Sequence, residues 1–528
     1  MRVLCTVAAF SLLLVGAPIA GIAQAQNADA LMAKHAAYTG FASNAQQATW
    51  FASGTRTDRR VSDRFSEVRR GLLYRDTVST TQGLDDTVGF SGSTVWHADE
   101  NGFTAAIHGR LAKAAIDFDI VRSEALSALG TTAVVGSANV RGIASTIVRA
   151  TPSGGTPMDL YVDPQTGAYV RVVVDPGGAS TTFDNLQYGA AGDAQKAIDA
   201  WAVDGDIYTL SEIDTGHSIT DAALAPPTPT ATWTFAAGET VPLVYATNAD
   251  NDRQVKVRAS VNGHAGIFLL STSTPSILLY EPFAVAAGIK DIGTSDFSPY
   301  LGNVQYNGYG RAATLQVGSS VLHDVIVERM SSANPAIAGV LGYDFYAGAI
   351  VGVDLRQRSL QLLDPSIYTA EVAGGGYGFQ LDLTNRTPTI AMRLPTGATA
   401  FPVLDTGLNG LVILSQALND KRQIGGVPIE DFGMVEFQQG WGATSDPIVT
   451  TSTTINYEAL NSAGTSGVCV AVKRLQIGPY TYLNPETCFG GTNVFGQDRG
   501  LVGMDFLRHF NWTIDYPDAI FAVDPNGE

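Results

Sequence analysis

The sequence predicts a mainly β protein whose C-terminal half is a tandem duplication, and three observations carry that prediction. Gly 56 and Pro 23 in 528 residues, with abundant Ser and Thr, punctuate short alternating apolar runs. Turn signals such as Asn262-Gly263 stand between two such runs, Val255 to Val261 and His264 to Leu270. A block that runs from Gly339-Val340-Leu341-Gly342 to Asp354 and Leu363-Asp364-Pro365 recurs from Gly500-Leu501-Val502-Gly503 to Asp515 and Val523-Asp524-Pro525. A chain of this length has material for two to four domains, each with its own core.

Residues 1–25 read as a secretory signal. Arg2 is the charged start, Val7 to Val15 the apolar core, and Ala23-Gln24-Ala25 the small-x-small cleavage pattern. The apolar run is too short for a membrane span, and no later stretch reaches about 18 apolar residues. An exported protein, periplasmic or secreted, with no transmembrane segment is the expectation. The net charge of −18 becomes about −19 once Arg2 leaves with the leader. Nucleic-acid binding is therefore excluded, because phosphates demand basic patches.

Residues 26–222 are expected to form a separate α+β domain of a helix followed by strands. Asn27 or Asp29 can cap a helix running to Tyr38. Strand-like segments follow at Gly71 to Arg75, Thr94 to His97 and Gly102 to Ile107. Met158 to Val174 reads as a hairpin turning at Asp163 to Gly167. Residues 223–240 contain Ala225-Pro226-Pro227-Thr228-Pro229-Thr230 and read as a Pro/Thr linker. The two repeats then occupy 241–370 and 371–528.

Within the second repeat, Asp405-Thr406-Gly407 lies between Phe401 to Leu404 and Leu411 to Leu414, both apolar. A carboxylate placed between buried strands needs hydrogen-bond donors, which a Thr hydroxyl and the N–H groups of a Gly turn supply. A second Asp214-Thr215-Gly216 has polar flanks and no following apolar run, which marks it as a surface turn. The repeat sets Ser271-Thr272-Ser273 opposite Asp405-Thr406-Gly407, so one copy has a hydroxyl where the other has a carboxylate. Asp344, Asp354, Asp505 and Asp515 fall in the repeated scaffold and read as turn or strand-end carboxylates.

The pattern resembles the aspartic peptidases, specifically the two-lobed, pepsin-type bacterial retropepsin-like kind. Val403-Leu404-Asp405-Thr406-Gly407 and Leu501-Val502-Gly503 match both halves of the family motif. Leu269-Leu270-Ser271-Thr272-Ser273 and Val340-Leu341-Gly342 match all but the Asp and the Gly. The resemblance covers about residues 240 to 528. It implies two retropepsin-like β-barrel lobes, Asp405 as the catalytic residue supported by Thr406 and Gly407, no cofactor, and a peptide or protein substrate cut by an Asp-activated water. Such chemistry needs two carboxylates that share one proton. With Ser271 as the degenerate counterpart, the second carboxylate would come from a homodimer joined through the second lobes. A catalytically retired cleft that binds peptide without cutting it is the alternative.

Phe90-Ser91-Gly92-Ser93-Thr94-Val95-Trp96, Asp99-Glu100-Asn101-Gly102 and Leu160 to Gly167 resemble lipoprotein-carrier domains, curved antiparallel sheets that cradle acyl chains. A lipid or acyl ligand at the N-terminal domain follows from that resemblance, against the plainer reading of Trp96 and Phe103 as ordinary core. Cys469 and Cys488, the two cysteines left after leader removal, suit a disulfide in an oxidising compartment, closing a loop of about 20 residues worth roughly 3 kcal/mol. Two buried thiols are the other reading. The seven histidines are scattered, so no metal site is expected. Flaps over the cleft are sought at Asn303 to Gly310, Gln438 to Gly442 and Ser462 to Gly467, where Gly accompanies aromatic or small residues.

Overall fold

The computed structural model describes residues 27–527, apart from the stretches 42–48, 245–253, 294–305, 416–447, 450–466 and 491–499 and several shorter ones. The signal-peptide residues 1–25 and the flap candidate Gln438 to Gly442 lie outside the described residues, as do Asn303 to Gln305 and Ser462 to Ser466. Among the described residues, no helix is long and apolar enough to cross a membrane.

The chain is mainly β. One sheet contains thirteen strands: β1 (Thr49–Thr57), β2 (Ser62–Arg70), β3 (Leu73–Ser79), β4 (Asp85–Phe90), β5 (Val95–Ala98), β6 (Thr104–Ile107), β7 (Thr131–Val140), β8 (Ile143–Thr151), β9 (Met158–Val162), β10 (Tyr169–Val174), β11 (Thr181–Ala191), β12 (Gln195–Val203) and β13 (Asp206–Asp214). Each pairs antiparallel with its neighbours in the order β6 back to β1, then β13 back to β7. Two helices accompany it, α1 (Ala28–Thr39) and α2 (Gly109–Arg122). Asn27 caps α1 by accepting the Asp29 N–H at 3.0 Å. The β9–β10 turn forms where Asp163 accepts from Gln165 N and Thr166 Oγ1, at 2.8 and 2.7 Å. Asp214 ends β13, in keeping with a turn reading of that second Asp-Thr-Gly.

The sheet curls around α2. Strands β5 and β11 are seven places apart in the sheet order, about 34 Å if the sheet were flat. Yet His97 of β5 and Phe183 of β11 line one cavity with α2 residues. Alternation along β9 and β10 sends Met158, Leu160, Val162, Val172 and Val174 to a core shared with Phe118 of α2.

Among the described residues the rest of the chain forms a second, 14-stranded sheet and two five-stranded sheets, one of which carries the Asp405 loop. Asn262 (φ 50°) and Gly263 (φ 78°) make the two-residue turn between Lys256–Val261 and His264–Leu270, whose register runs Val261 to His264. The sequence repeat reappears as repeated pairing. Leu269 and Leu270 pair in parallel with Val340 and Leu341, and Val403 and Leu404 pair in parallel with Leu501 and Val502. Ser271 N donates to Leu341 O at 3.1 Å, and its counterpart Asp405 N to Val502 O at 2.9 Å. The corresponding strands Ile350–Asp354 and Phe510–Asp515 pair antiparallel with one another, Ile350 opposite Asp515 and Val353 opposite Trp512. That register maps onto itself when the two copies are exchanged, which is what a local two-fold axis requires. Asp354 and Asp515 cap equivalent turns, accepting from Gln357 N at 2.7 Å and Asp518 N at 3.1 Å.

The Pro/Thr stretch is tied down at its C-terminal end. Thr230 N donates to Asn101 O at 2.8 Å, and Thr232–Thr234 adds a strand to the second sheet. Phe103 belongs to the core of the second sheet, where its ring fills the space beside Gly348.

Candidate functional site

Two places in the molecule hold functional-looking side chains. The first is the pair of loops at Ser271 and Asp405. Both residues are buried, with 4% and 7% of their surface exposed, and Ser271 Oγ donates to Asp405 Oδ1 at 3.3 Å. Gly407 N donates to the same oxygen at 2.8 Å. Ser273 Oγ and Thr274 Oγ1 each lie 3.1 Å from Ser271 Oγ, so the hydroxyls form a small relay. Burial raises the Asp405 carboxyl above its ordinary range, opposed by hydrogen bonds from Ser273, Gly407 and Ser271. A Cβ on Gly407 would sit 2.7 Å from Ser271 Oγ and 2.8 Å from Ser271 Cβ, so only glycine lets the loops meet.

The loops lock reciprocally. Thr272 N and Thr406 N each donate to the other Thr hydroxyl at 3.2 Å, and Thr406 Oγ1 donates to Leu270 O at 3.0 Å. Thr272 Oγ1 donates to Leu404 O in the mirror position. Gln254 Nε2 braces the far side by donating to Gly407 O at 2.7 Å. Asp405 thus already has its counterpart loop, and that loop brings a serine. For Asp405 to pair with a second copy of itself in a homodimer, as expected from the sequence, a partner chain would have to displace the Ser271 loop and break the reciprocal bonds. Chemically the pair is one carboxyl and one hydroxyl, able to hold a water or a polar ligand group but without a second carboxyl to protonate a carbonyl.

The expected first flap, Asn303 to Gly310, is a strand in its described part: Tyr309 and Gly310 pair with Glu328 and Val327. Cys469 and Cys488 stand directly opposite one another on neighbouring antiparallel strands. Among the described residues, no group of three or more His, Cys, Asp or Glu side chains could hold a metal ion.

The second place is a cavity of about 400 Å³ between α2 and the curled sheet. Phe65, Val88, Val95, Phe118, Phe183 and Trp201 are among its apolar lining, with Tyr74, Asp76, His97, Asp119 and Arg122 supplying polar groups. Phe118 and Phe183 stack with ring centroids 3.6 Å apart, and the Arg122 guanidinium lies 4.0 Å over Trp201. Behind them is a buried ion network. Glu67 accepts from Arg69 Nε at 2.6 Å and pairs with Arg122, while Arg69 also pairs with Asp119. Arg122 and Arg69 hold Glu67 below its ordinary range against the cost of burial. Sequence reading reached Tyr74, Val95 and His97 within strand and motif segments and missed the others, because only the curl of the sheet brings them together.

A third cluster joins the two sheets. Arg386 pairs with Asp86 at 3.1 Å and with Glu100, close to Asp99 and Asp344. Burial and the neighbouring Glu100 push Asp99 up to about 7.

No family model and no curated protein matches the chain. Solved structures similar to it include a DUF1329 family protein from Desulfovibrio piger, 13% identical, covering 38% of this chain and 97% of that chain at a TM-score of 0.29. Another, from Vibrio parahaemolyticus, is named as an outer membrane lipoprotein-sorting protein domain, 11% identical, covering 38% and 96% at a TM-score of 0.24. Likeness at these scores carries no argument about function.

Proposed function

We propose that the chain is an exported binding protein for an apolar ligand, and that its C-terminal lobes are a retropepsin-like pair retired from catalysis. The observation that carries the reading is the aromatic-lined cavity beneath α2, whose size lies in the range of small-ligand sites. Residues 26–222 would form the ligand domain, 223–240 the connection, and 241–370 and 371–528 the two lobes. The repeated pairing and the reciprocal Thr272–Thr406 lock support the lobe assignment. Ser271 facing Asp405 supports retirement, because a hydroxyl cannot take the place of the second carboxyl in a shared-proton dyad. The leader pattern at 1–25 supports export.

N-phenyl-1-naphthylamine, a neutral fluorophore that brightens in apolar surroundings, tests the reading. It should brighten with the wild-type protein and much less with Ala115→Phe, which fills the cavity from α2, the fold of the variant being checked by circular dichroism. Equal brightening with both proteins would reject the cavity as the site. Peptide binding at the Asp405 cleft is the second reading. It is favoured by the intact donors around Asp405, which keep a carboxyl and a hydroxyl available side by side.

A further inference from the structure

The polar end of the cavity is short of positive charge. Three carboxylates, Glu67, Asp76 and Asp119, face two guanidinium groups, Arg69 and Arg122. Glu67 and Asp119 have close partners, but Asp76 reaches Arg122 Nη1 only at 3.3 Å, and its Oδ1 has no hydrogen-bond partner. The other charged groups lining the cavity already have partners of opposite charge. Arg56 pairs with Asp206 at 2.9 Å, and Asp86 with His97 at 2.6 Å and with Arg386. His97, 4% exposed, has its second ring nitrogen, Nδ1, without a partner. Two of the unmatched atoms, Asp76 Oδ1 and the lone pair left on His97 Nδ1 when Nε2 donates to Asp86, are acceptors. The unmatched donors, Arg122 Nε–H and the two terminal nitrogens of Arg69, belong to guanidinium groups already paired with Glu67, Asp76 and Asp119. An anionic headgroup placed there would lie against those carboxylates.

Resting on the reading that this cavity holds a ligand, we propose that it selects a cationic amphiphile: a single alkyl or acyl chain among Phe118, Phe183 and Trp201, ending in a protonated amine beside Asp76. The amine supplies the missing charge beside the Asp76 carboxyl. The titration of the site agrees, since burial and the charge of Glu67 push Asp76 up to about 7 and burial pushes Asp119 up to about 6. Carboxyls raised in that way are carboxyls lacking a cation.

Displacement of N-phenyl-1-naphthylamine by dodecylamine, dodecanol and dodecanoate, each below its micellar concentration at pH 7, tests this. Dodecylamine should displace the dye at a concentration about ten-fold or more below that of dodecanoate, the scale of one hydrogen bond to a charged group. Asp76→Asn should bring that ratio close to one. The substitution removes one acid of 50, so general attraction of cations to an acidic protein is untouched. Dodecanoate matching dodecylamine on the wild type overturns the proposal, as does an amine preference that survives Asp76→Asn. If the dye and dodecanol both fail to bind the wild type, the cavity reading fails first and this proposal fails with it.

Discussion

Thr272 and Thr406 each donate a backbone N–H to the other's hydroxyl at 3.2 Å, and each hydroxyl donates a hydrogen bond to a carbonyl of the opposite loop. Both side chains are fully buried. A buried network with every member satisfied fixes one arrangement of the two loops and tolerates no partial loss.

Thr406→Val should therefore cost about 2 kcal/mol of stability, because it strands the Thr272 N–H and the Leu270 carbonyl together. Thr272→Val should cost a similar amount, and the double variant should cost less than the sum of the two. Urea denaturation of the four proteins measures this. Additive losses would mean that the bonds are independent.

At the Asp405 site, the wild-type protein should cleave no peptide at any pH. Ser271→Asp combined with Ser273→Gly places a second carboxyl next to Asp405 and should allow one proton to be shared. Cleavage in acid, independent of protein concentration and lost on Asp405→Asn, is the expected gain. Wild-type cleavage that Asp405→Asn abolishes would contradict retirement.

Elements whose signals are local were legible in the sequence. Asn262 and Gly263 take the positive φ values that a two-residue hairpin turn demands, Asn27 caps its helix, and the repeat returns as equivalent strands paired about a two-fold. The facing of Ser271 and Asp405 also followed from the repeat. Groups joined only by tertiary structure were not legible. Arg386 meets Asp86 across 300 residues, and Arg122 meets Glu67 across 55. The start of α2 lacks a side-chain cap at His108, which removes the usual helix signal. The cavity-lining positions 112, 115, 119 and 122 recur at helical spacing, a sign that stands beside the Phe90 to Trp96 motif.

The Asp99 cluster between the sheets should make stability depend on pH. Asp99 is raised to about 7 by burial and Glu100, with Asp344 raised by burial and the same neighbours, while Arg386 and His97 oppose the shift. A carboxyl raised in the folded state favours folding when protonated, so its contribution is complete below the unfolded pKa near 3.8 and is lost as pH rises through 7. Thermal unfolding should show Asp99→Asn gaining on wild type by on the order of 1 kcal/mol at pH 8 compared with pH 5. Asn keeps the oxygen that accepts from Asn101 N and Phe103 N. An unchanged difference across that range would show that Asp99 does not titrate there.

Cys469 and Cys488 are opposite residues of an antiparallel pair, which puts their Cα atoms about 4.5–5.5 Å apart, within disulfide range. Thiol titration of the unfolded protein, recovered from an oxidising compartment, should find no free cysteine before reduction. Two titratable thiols would exclude the bridge.

A crystal of the protein grown with a 12-bromododecyl ligand, examined at the bromine absorption edge, separates the two candidate sites directly. The expected result is an anomalous peak between α2 and the curled sheet, near Phe118, Phe183 and Trp201, with nothing beside Asp405. A peak in the Ser271–Asp405 cleft with an empty cavity would contradict an apolar-ligand carrier and return function to the peptidase-like lobes.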